Sequence, residues 1–329
     1  MANTFINGRR PWASIILAAG KGTRMKSEVP KVMHHLLGKP IIGHVLDLLR
    51  NLDIGPRVVV AGHGDDLVRD YLKKTDIKLV VQEQQLGTGH AASCAKAALG
   101  EFHGNVLIIC GDTPLLKENT LASFMEDHAA SGRILSLLTA HLKDPTGYGR
   151  VLRSVPEDAQ IQGIVEEKDA TEAQRRLTEI NTGTYAVDSG FLFHALDAVG
   201  CDNVQGEYYL TDIVSIAVSE GVSAGAVSAA AEDEARGINS RTELARAETI
   251  LLDRIRKNWM EFGVSFELYK SIYIEPDVML SRDVTIGPHV VLKGRTTVGE
   301  GAKLGAFSYL EGVQVPPGSI IPPFSRLIN

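Results

Sequence analysis

Along the first two thirds of the chain, short apolar runs alternate with stretches whose apolar residues recur at helical spacing. Ser14–Ala18 (SIILA) predicts a buried strand. In Ile41–Asn51, Ile42, Val45, Leu46 and Leu49 share one helical face. Arg57–Ala61 (RVVVA) predicts a second strand and Asp65–Lys74 a second helix; Lys78–Gln82 followed by Gly89–Leu99 repeats the unit. Asn105–Cys110 (NVLIIC) predicts a further strand, followed by a helix near Glu118–Ser131 and a strand at Ile134–Ala140. Such alternation implies βαβ units and an α/β fold, a mostly parallel sheet with helices on both faces. These sheets bind ligands at the carboxyl ends of their strands. The loops after Ala18, Gln82 and Cys110 are therefore the ones to read for chemistry.

Arg241–Glu261 predicts one long helix, with Leu244, Ala247, Leu251, Ile255 and Trp259 near one face. Beyond it the period changes. Ile274, Leu280, Ile286, Leu292, Val298, Leu304 and Leu310 recur every six residues, and Ile272, Val278, Val284 and Val290 form a second register. Six is neither a helical nor a simple strand period; it is the signature of a parallel β-helix. The spacing predicts about two coils over residues 272–312, after which Gln314–Phe324 (QVPPGSIIPPF) reads as an end cap. Three segments result: residues 1–240 as an α/β domain, 241–262 as a linker helix, and 263–329 as a short β-helix with a C-terminal cap.

Charge narrows the function. With 34 Lys+Arg against 40 Asp+Glu, the formal charge is −6, which argues against broad nucleic-acid binding. A phosphate ligand would be held by a few local cations and backbone amides. Cys94, Cys110 and Cys201 are far apart without CxxC spacing, so reduced thiols are expected rather than a disulfide framework or zinc site. The polar stretch Met1–Pro11 has no apolar core of a signal peptide. No run approaches the roughly 18 apolar residues of a membrane span. The expected location is the cytoplasm, with no membrane partner.

Three loops carry candidate chemistry. Leu17-Ala18-Ala19-Gly20-Lys21-Gly22-Thr23-Arg24-Met25, with Pro30-Lys31 following, offers glycines that let the backbone approach a ligand. Arg24 and Lys31 add charge suited to a triphosphate; the alternative is a tight turn with solvated basic residues. In Gln82–His90 (QEQQLGTGH), Gln82 ends a strand where its amide can pair with a base edge. Gly87 and Thr88 open a helix whose free amides favour an anion, although Thr88 can equally serve as a cap. In Cys110-Gly111-Asp112-Thr113-Pro114, a carboxylate at the end of an apolar strand suits Mg²⁺, which takes one or two carboxylates plus phosphate oxygens and water; Asp112 can otherwise open a turn before Pro114. Further on, Gly149, Glu166 and Asn181 offer partners for sugar hydroxyls, and each alone also reads as a turn or surface residue.

Taken in order, LAAGKGTRM, PKV, QLGTGHA, GD-PL, DPTGYGR, GIVEEKDAT, EINTG, GEYYLTDI and GIN resemble one family. It is the bacterial bifunctional enzyme family of N-acetylglucosamine-1-phosphate uridyltransferase and glucosamine-1-phosphate acetyltransferase. The similarity covers about residues 12–245, and the hexapeptide repeat matches the left-handed β-helix that follows in that family. The resemblance implies a Rossmann-like nucleotidyltransferase fold. It implies that Leu17, Ala18, Ala19 and Gly20 cradle the nucleotide, and that Gln82, Gly87 and Thr88 read the uracil. Arg24 and Lys31 would neutralise the triphosphate, Asp112 and Asn239 would hold Mg²⁺, and Gly149, Glu166 and Asn181, with Asn239, would bind the sugar. By that analogy UTP and a sugar 1-phosphate are the partners. The sugar phosphate attacks the α-phosphorus of UTP in line, pyrophosphate leaves, and positioning with electrostatic stabilisation supplies the catalysis.

Two departures stand out. The family commonly has tyrosine where Cys110 stands. The acetyltransferase site of the family lies in coils well beyond the first few, so no acetyltransferase activity is expected. The β-helix would either build a homotrimer, as in the family, or cap the catalytic domain. Two other readings are kept: the same chemistry on glucose 1-phosphate or another sugar 1-phosphate with UTP or dTTP, and an inactive nucleotide-sugar-binding module.

Overall fold

The apolar runs become strands of one twisted sheet, because aliphatic and β-branched side chains suit a backbone covered on both faces. The computed structural model describes residues 10–62, 66–154, 160–228 and 231–329. The chain divides into two compact units. One holds the residues up to His34 together with Ile41–Asn239; the other holds His35–Pro40 together with Ser240–Asn329.

In the first unit β1 (Trp12–Ala18), β2 (Arg57–Gly62), β3 (Lys78–Gln82) and β4 (Asn105–Cys110) pair in parallel. The sheet is completed by β5 (Leu135–His141), the short β6 (Arg150–Leu152) and β7 (Gly163–Val165), β8 (Glu179–Asp188) and β9 (Ala224–Ser228). Its order is β9-β5-β8-β4-β1-β2-β3, with β6 and β7 extending from β8. Strand β8 is wedged between β4 and β5 and runs antiparallel to both, so the sheet is mostly parallel but not wholly so.

Alternation along β1 sends Ile15 to one face, with Val58, Val60, Val106 and Ile108, and Ile16 to the other, with Val59, Ala61, Leu107 and Ile109. The second face is covered by α1 (Ile41–Asn51), α2 (Asp66–Leu72) and α5 (Glu118–Ser131). The first is covered by α3 (Thr88–Cys94), α4 (Lys96–Leu99), α6 (Ser189–Ala198) and α7 (Asp212–Ser219). The expected single helix Gly89–Leu99 is thus two. At Ala95 the N–H bonds the Ala92 carbonyl three residues back, tightening the turn. The helix expected from Asp65 is described from Asp66, Asp65 lying outside the described residues. Residues 1–9 of the N-terminal stretch lie outside them too. Among the described residues no helix is long and apolar enough to cross a membrane.

The second unit holds α8 (Arg241–Phe262), the hairpin His35–Leu36/Lys39–Pro40 and a parallel β-helix. Every residue of both predicted six-residue registers is buried in its core. Strand Tyr273–Ile274 stacks on Val291–Lys293, Tyr309–Glu311 and Arg326–Ile328. A second ladder runs Ser265–Phe266, Thr285–Ile286, Lys303–Leu304 and Ile320–Ile321.

Two expectations change here. The solenoid is longer than two coils, since two of its faces carry four strands each. Gln314–Phe324 does not end the pattern: Gln314–Val315 and Ile320–Ile321 both join ladders. Its prolines sit at the coil corners, where ladder N–H groups are not needed. Pro317 lies over Gly299, where an added Cβ would come 2.5 Å from the proline nitrogen.

Helix α8 does more than connect. Arg256, 7% exposed, donates from Nε to the Ile272 carbonyl at 2.7 Å and from Nη2 to the Lys270 carbonyl at 2.9 Å. The hairpin was not legible beforehand. It buries Leu37 in the same core, and Lys39 pairs with Asp277 at 2.9 Å.

A candidate active site in a two-part cleft

Because β1, β3 and β4 run parallel, the loops that follow them emerge along one edge of the sheet. One part of the cleft there is lined by Leu17, Ala18, Ala19, Gly20, Lys31, Gln82, Gly87, Thr88 and Asp112. The adjoining part is lined by Gly149, Asn181 and Asn239, together with Thr182, Tyr185 and Thr211. Leu17, Thr88, Cys110 and Asp112 border both parts, which makes them one continuous cleft. Two of the sequence-predicted residues are not in its wall. Arg24 is exposed on the short 3₁₀ turn Thr23–Met25. Glu166 sits behind Gly149, where an added Cβ would meet its carboxylate at 3.4 Å.

At the junction, Lys31 Nζ donates to Asp112 Oδ2 and, at 2.8 Å, to Asn239 Oδ1. The Asp112 backbone carbonyl accepts the Ile238 N–H at 2.9 Å, which brings residues 237–239 alongside the β4 loop. The turn before Pro114 is closed by Thr113, whose hydroxyl donates to the Cys110 carbonyl, leaving the Asp112 carboxylate to face the cation. Among the described residues no three His, Cys, Asp or Glu side chains gather as a metal site. A metal at this junction would have one carboxylate and one amide oxygen from the protein. That donor set suits Mg²⁺ completed by phosphate oxygens and water.

The nucleotide-side loop is braced from a distant segment. Tyr208 N–H donates to the Leu86 carbonyl and Gly89 N–H to the Tyr208 carbonyl, each at 2.8 Å. Thr88 is the first residue of α3 rather than its cap; its hydroxyl accepts the Leu210 N–H at 3.0 Å. Gly87 has φ 113°, and a Cβ there would lie 2.5 Å from the Tyr208 carbonyl oxygen. The Gln82 amide nitrogen donates to the Gly87 carbonyl at 3.0 Å and lies 2.9 Å from His90 Nδ1. Gln85, not singled out in the sequence, ties its amide to the Ala19 carbonyl at 2.6 Å and so holds the glycine-rich loop. Nothing in its run of polar neighbours marks it.

On the other side, a bulge between Asn181 and Thr184 breaks the regular register of β8 and turns Thr182 and Gly183 into the cleft. Asn181 accepts the Gly183 N–H at 2.8 Å and donates to Tyr185 Oη at 2.8 Å. Thr211 donates to Glu166 Oε1 at 3.3 Å. Burial raises the Glu166 carboxyl above the usual range, the Thr211 bond opposes this, and Asp212 and Asp169 add to the rise. Burial, helped by the Asp112 carboxylate, pushes the Cys110 thiol up to about 12, so it is a neutral wall residue and not a nucleophile.

The MobA-like NTP transferase domain model matches residues 14–176. The bifunctional protein GlmU of Exiguobacterium sibiricum is 44% identical over 308 residues, covering 94% of this chain and 68% of that protein. The same-named protein of Syntrophotalea carbinolica is 45% identical, with 94% and 67% covered. A solved UDP-glucose pyrophosphorylase complexed with UDP-glucose superposes with a TM-score of 0.62 over 74% of this chain and 99% of its own, at 17% identity, a likeness of fold. At that identity and coverage, the chain belongs to the family of the bifunctional protein GlmU and is a nucleotidyltransferase.

Proposed function

We propose that this protein transfers uridylyl from UTP to N-acetylglucosamine 1-phosphate, giving UDP-N-acetylglucosamine and pyrophosphate. The observation that carries the reading is the meeting of Lys31, Asp112 and Asn239 at the junction of the cleft's two parts. A phosphate bridge between nucleotide and sugar would lie at that junction. The Leu17–Gly20 backbone, Gly87 and the N-terminus of α3 would hold the nucleotide. Gly149, Asn181 and Glu166 would orient the sugar, with Thr211 fixing the Glu166 carboxylate. A phosphate oxygen of the sugar 1-phosphate then attacks the α-phosphorus in line, the bond to the β-phosphate oxygen breaks, and pyrophosphate departs. Lys31 would follow the charge on the phosphates, while Arg24 would act from outside the wall described above. Asp112 and Asn239 would hold Mg²⁺, which when bound would neutralise developing phosphate charge.

The test is pyrophosphate release with UTP, Mg²⁺ and N-acetylglucosamine 1-phosphate, beside glucose 1-phosphate, glucosamine 1-phosphate and dTTP. Release favouring the first pair and lost in Asp112→Ala supports the reading. Preference for another sugar or nucleotide keeps the chemistry and overturns the substrate. No release with any pair favours a nucleotide-sugar-binding module.

The same reading includes no acetyl transfer by these 329 residues. The β-helix segment 263–329 offers one histidine, His289, and its ring is stacked on Phe307 at 4.8 Å. Acetyl-CoA turnover with glucosamine 1-phosphate would refute this. Assembly as a homotrimer through the β-helix is also part of the reading, and light scattering that finds only monomer at micromolar concentration ends it.

A further inference from the structure

We infer that Lys31 is a resident cation that the divalent metal must displace, so that metal and nucleotide enter the cleft together. The inference rests on the assignment of Asp112 and Asn239 as the metal's protein donors, and its test separates the two.

The Lys31 ammonium donates to an oxygen of each of those side chains, Asp112 Oδ2 and Asn239 Oδ1. The Lys31 and Asp112 side chains are only 13% and 15% exposed, so their attraction is weakly screened by water. A metal ion held by both oxygens would lie about 2.0–2.1 Å from each. That position overlaps the volume around the ammonium, and two cations in such a space repel strongly. The ammonium must therefore move before the metal binds. Its four-carbon stem lets the head swing while the backbone stays fixed. The direction is set by the cleft: Lys31 lines the part formed by the glycine-rich loop and Gly87, where phosphates would supply negative charge.

Two consequences follow. Without nucleotide, Lys31 stays paired with Asp112, and a divalent ion must compete with it for that carboxylate. With nucleotide, the phosphates take the ammonium and expose Asp112 and Asn239 to the metal. Lys31 thereby couples the two ligands, beyond its charge effect on the reaction.

The experiment measures Mn²⁺ binding by electron paramagnetic resonance to the full chain in the absence of nucleotide. Wild type is compared with Lys31→Met and Lys31→Gln, each alone and combined with Asp112→Asn. We expect both Lys31 variants to bind Mn²⁺ at least about tenfold more tightly than wild type, and Asp112→Asn to abolish the gain. Two Lys31 variants are used so that a folding defect in one, visible by circular dichroism, does not decide the result. Affinity equal to or weaker than wild type in a folded variant, with binding still dependent on Asp112, overturns the displacement and leaves the metal site standing. Binding indifferent to Asp112→Asn overturns the metal assignment itself, and the inference with it.

Discussion

Gly22 and Lys31 are in contact across the glycine-rich loop: a Cβ at Gly22 would come 2.8 Å from the Cβ of Lys31. The absence of a side chain at 22 is thus what lets the loop close over the lysine that reaches Asp112. Gly22 also has φ 59°, where other residues are strained. Gly22→Ala is expected to shift Lys31 and lower kcat/KM for pyrophosphate release by about ten- to a hundredfold. Thermal stability should fall as well, by about 1–2 kcal/mol from the left-handed backbone. Unaltered kinetics would show that the loop accommodates the methyl group without moving Lys31.

A second pair is Gly183 and Cys110. Gly183 lies in the β8 bulge at φ 78°, and a Cβ there would meet Cys110 Sγ at 2.6 Å. Gly183→Ala should therefore cost about 2–3 kcal/mol from overpacking and backbone strain together. Cys110→Ala in the same chain removes the colliding sulfur. The double variant is expected to regain part of the stability lost, leaving about 1 kcal/mol of backbone strain. A double-mutant cycle from chemical denaturation reads this directly; strict additivity would show that the two sites do not touch.

Glu166 links acidity to stability. Its carboxyl is raised above its ordinary value of 4.5 by burial, so the folded state holds this proton more tightly than the unfolded state. Between the ordinary and the raised value the folded form binds more protons, and stability falls as pH rises through that window. Glu166→Gln removes the titration. It should flatten this part of the pH dependence and raise the melting temperature at neutral pH by a few degrees, while weakening sugar-phosphate binding. Melting curves across the acidic range check the sign. A steeper fall with pH in the variant would contradict it.

Arg256 tests the β-helix. Its guanidinium supplies donors to two backbone carbonyls, those of Ile272 and Lys270, at the start of the first coils. Arg256→Met keeps much of the stem's packing and removes the donors. The expected cost is about 2–4 kcal/mol, because hydrogen bonds to a charged donor are strong and the carbonyls are left without it. Trp259 fluorescence in a Trp12→Phe background would follow this unit during urea unfolding. A midpoint unchanged from the parent would contradict the role.

The elements most legible in the sequence are those whose burial pattern is continuous. Strands β1 to β4 and helix α1 follow from aliphatic runs and helical spacing, and the solenoid from its six-residue recurrence. What escaped were features set by distant partners. Strand β8 carries Asn181-Thr182-Gly183 at its bulge, which interrupts the strand signal at the residues that face the cleft. The hairpin at 35–40 joins a core more than 200 residues downstream, and no local pattern announces that. Gln85 and Thr211 act through single hydrogen bonds to a loop carbonyl and to Glu166, so their chemistry is invisible until the backbone brings those groups together. The proline-rich Gln314–Phe324 has the composition of a terminator, whereas at a coil corner proline has no ladder bond to lose.

The wedging of β8 between β4 and β5 has a bearing on how the protein is made. As the chain emerges from the ribosome, β1 to β4 can align early, while β5 waits beside an open position in the sheet until residues 179–188 appear. A nascent chain paused before residue 179 leaves one edge of β4 and, because β9 is also still to come, both edges of β5 unpaired, the situation in which nascent chains aggregate or recruit chaperones. Asn181 lies on that late strand and Tyr208 and Leu210 brace the Gly87 loop from still further on, so the cleft is among the last parts of the first unit to be completed during synthesis.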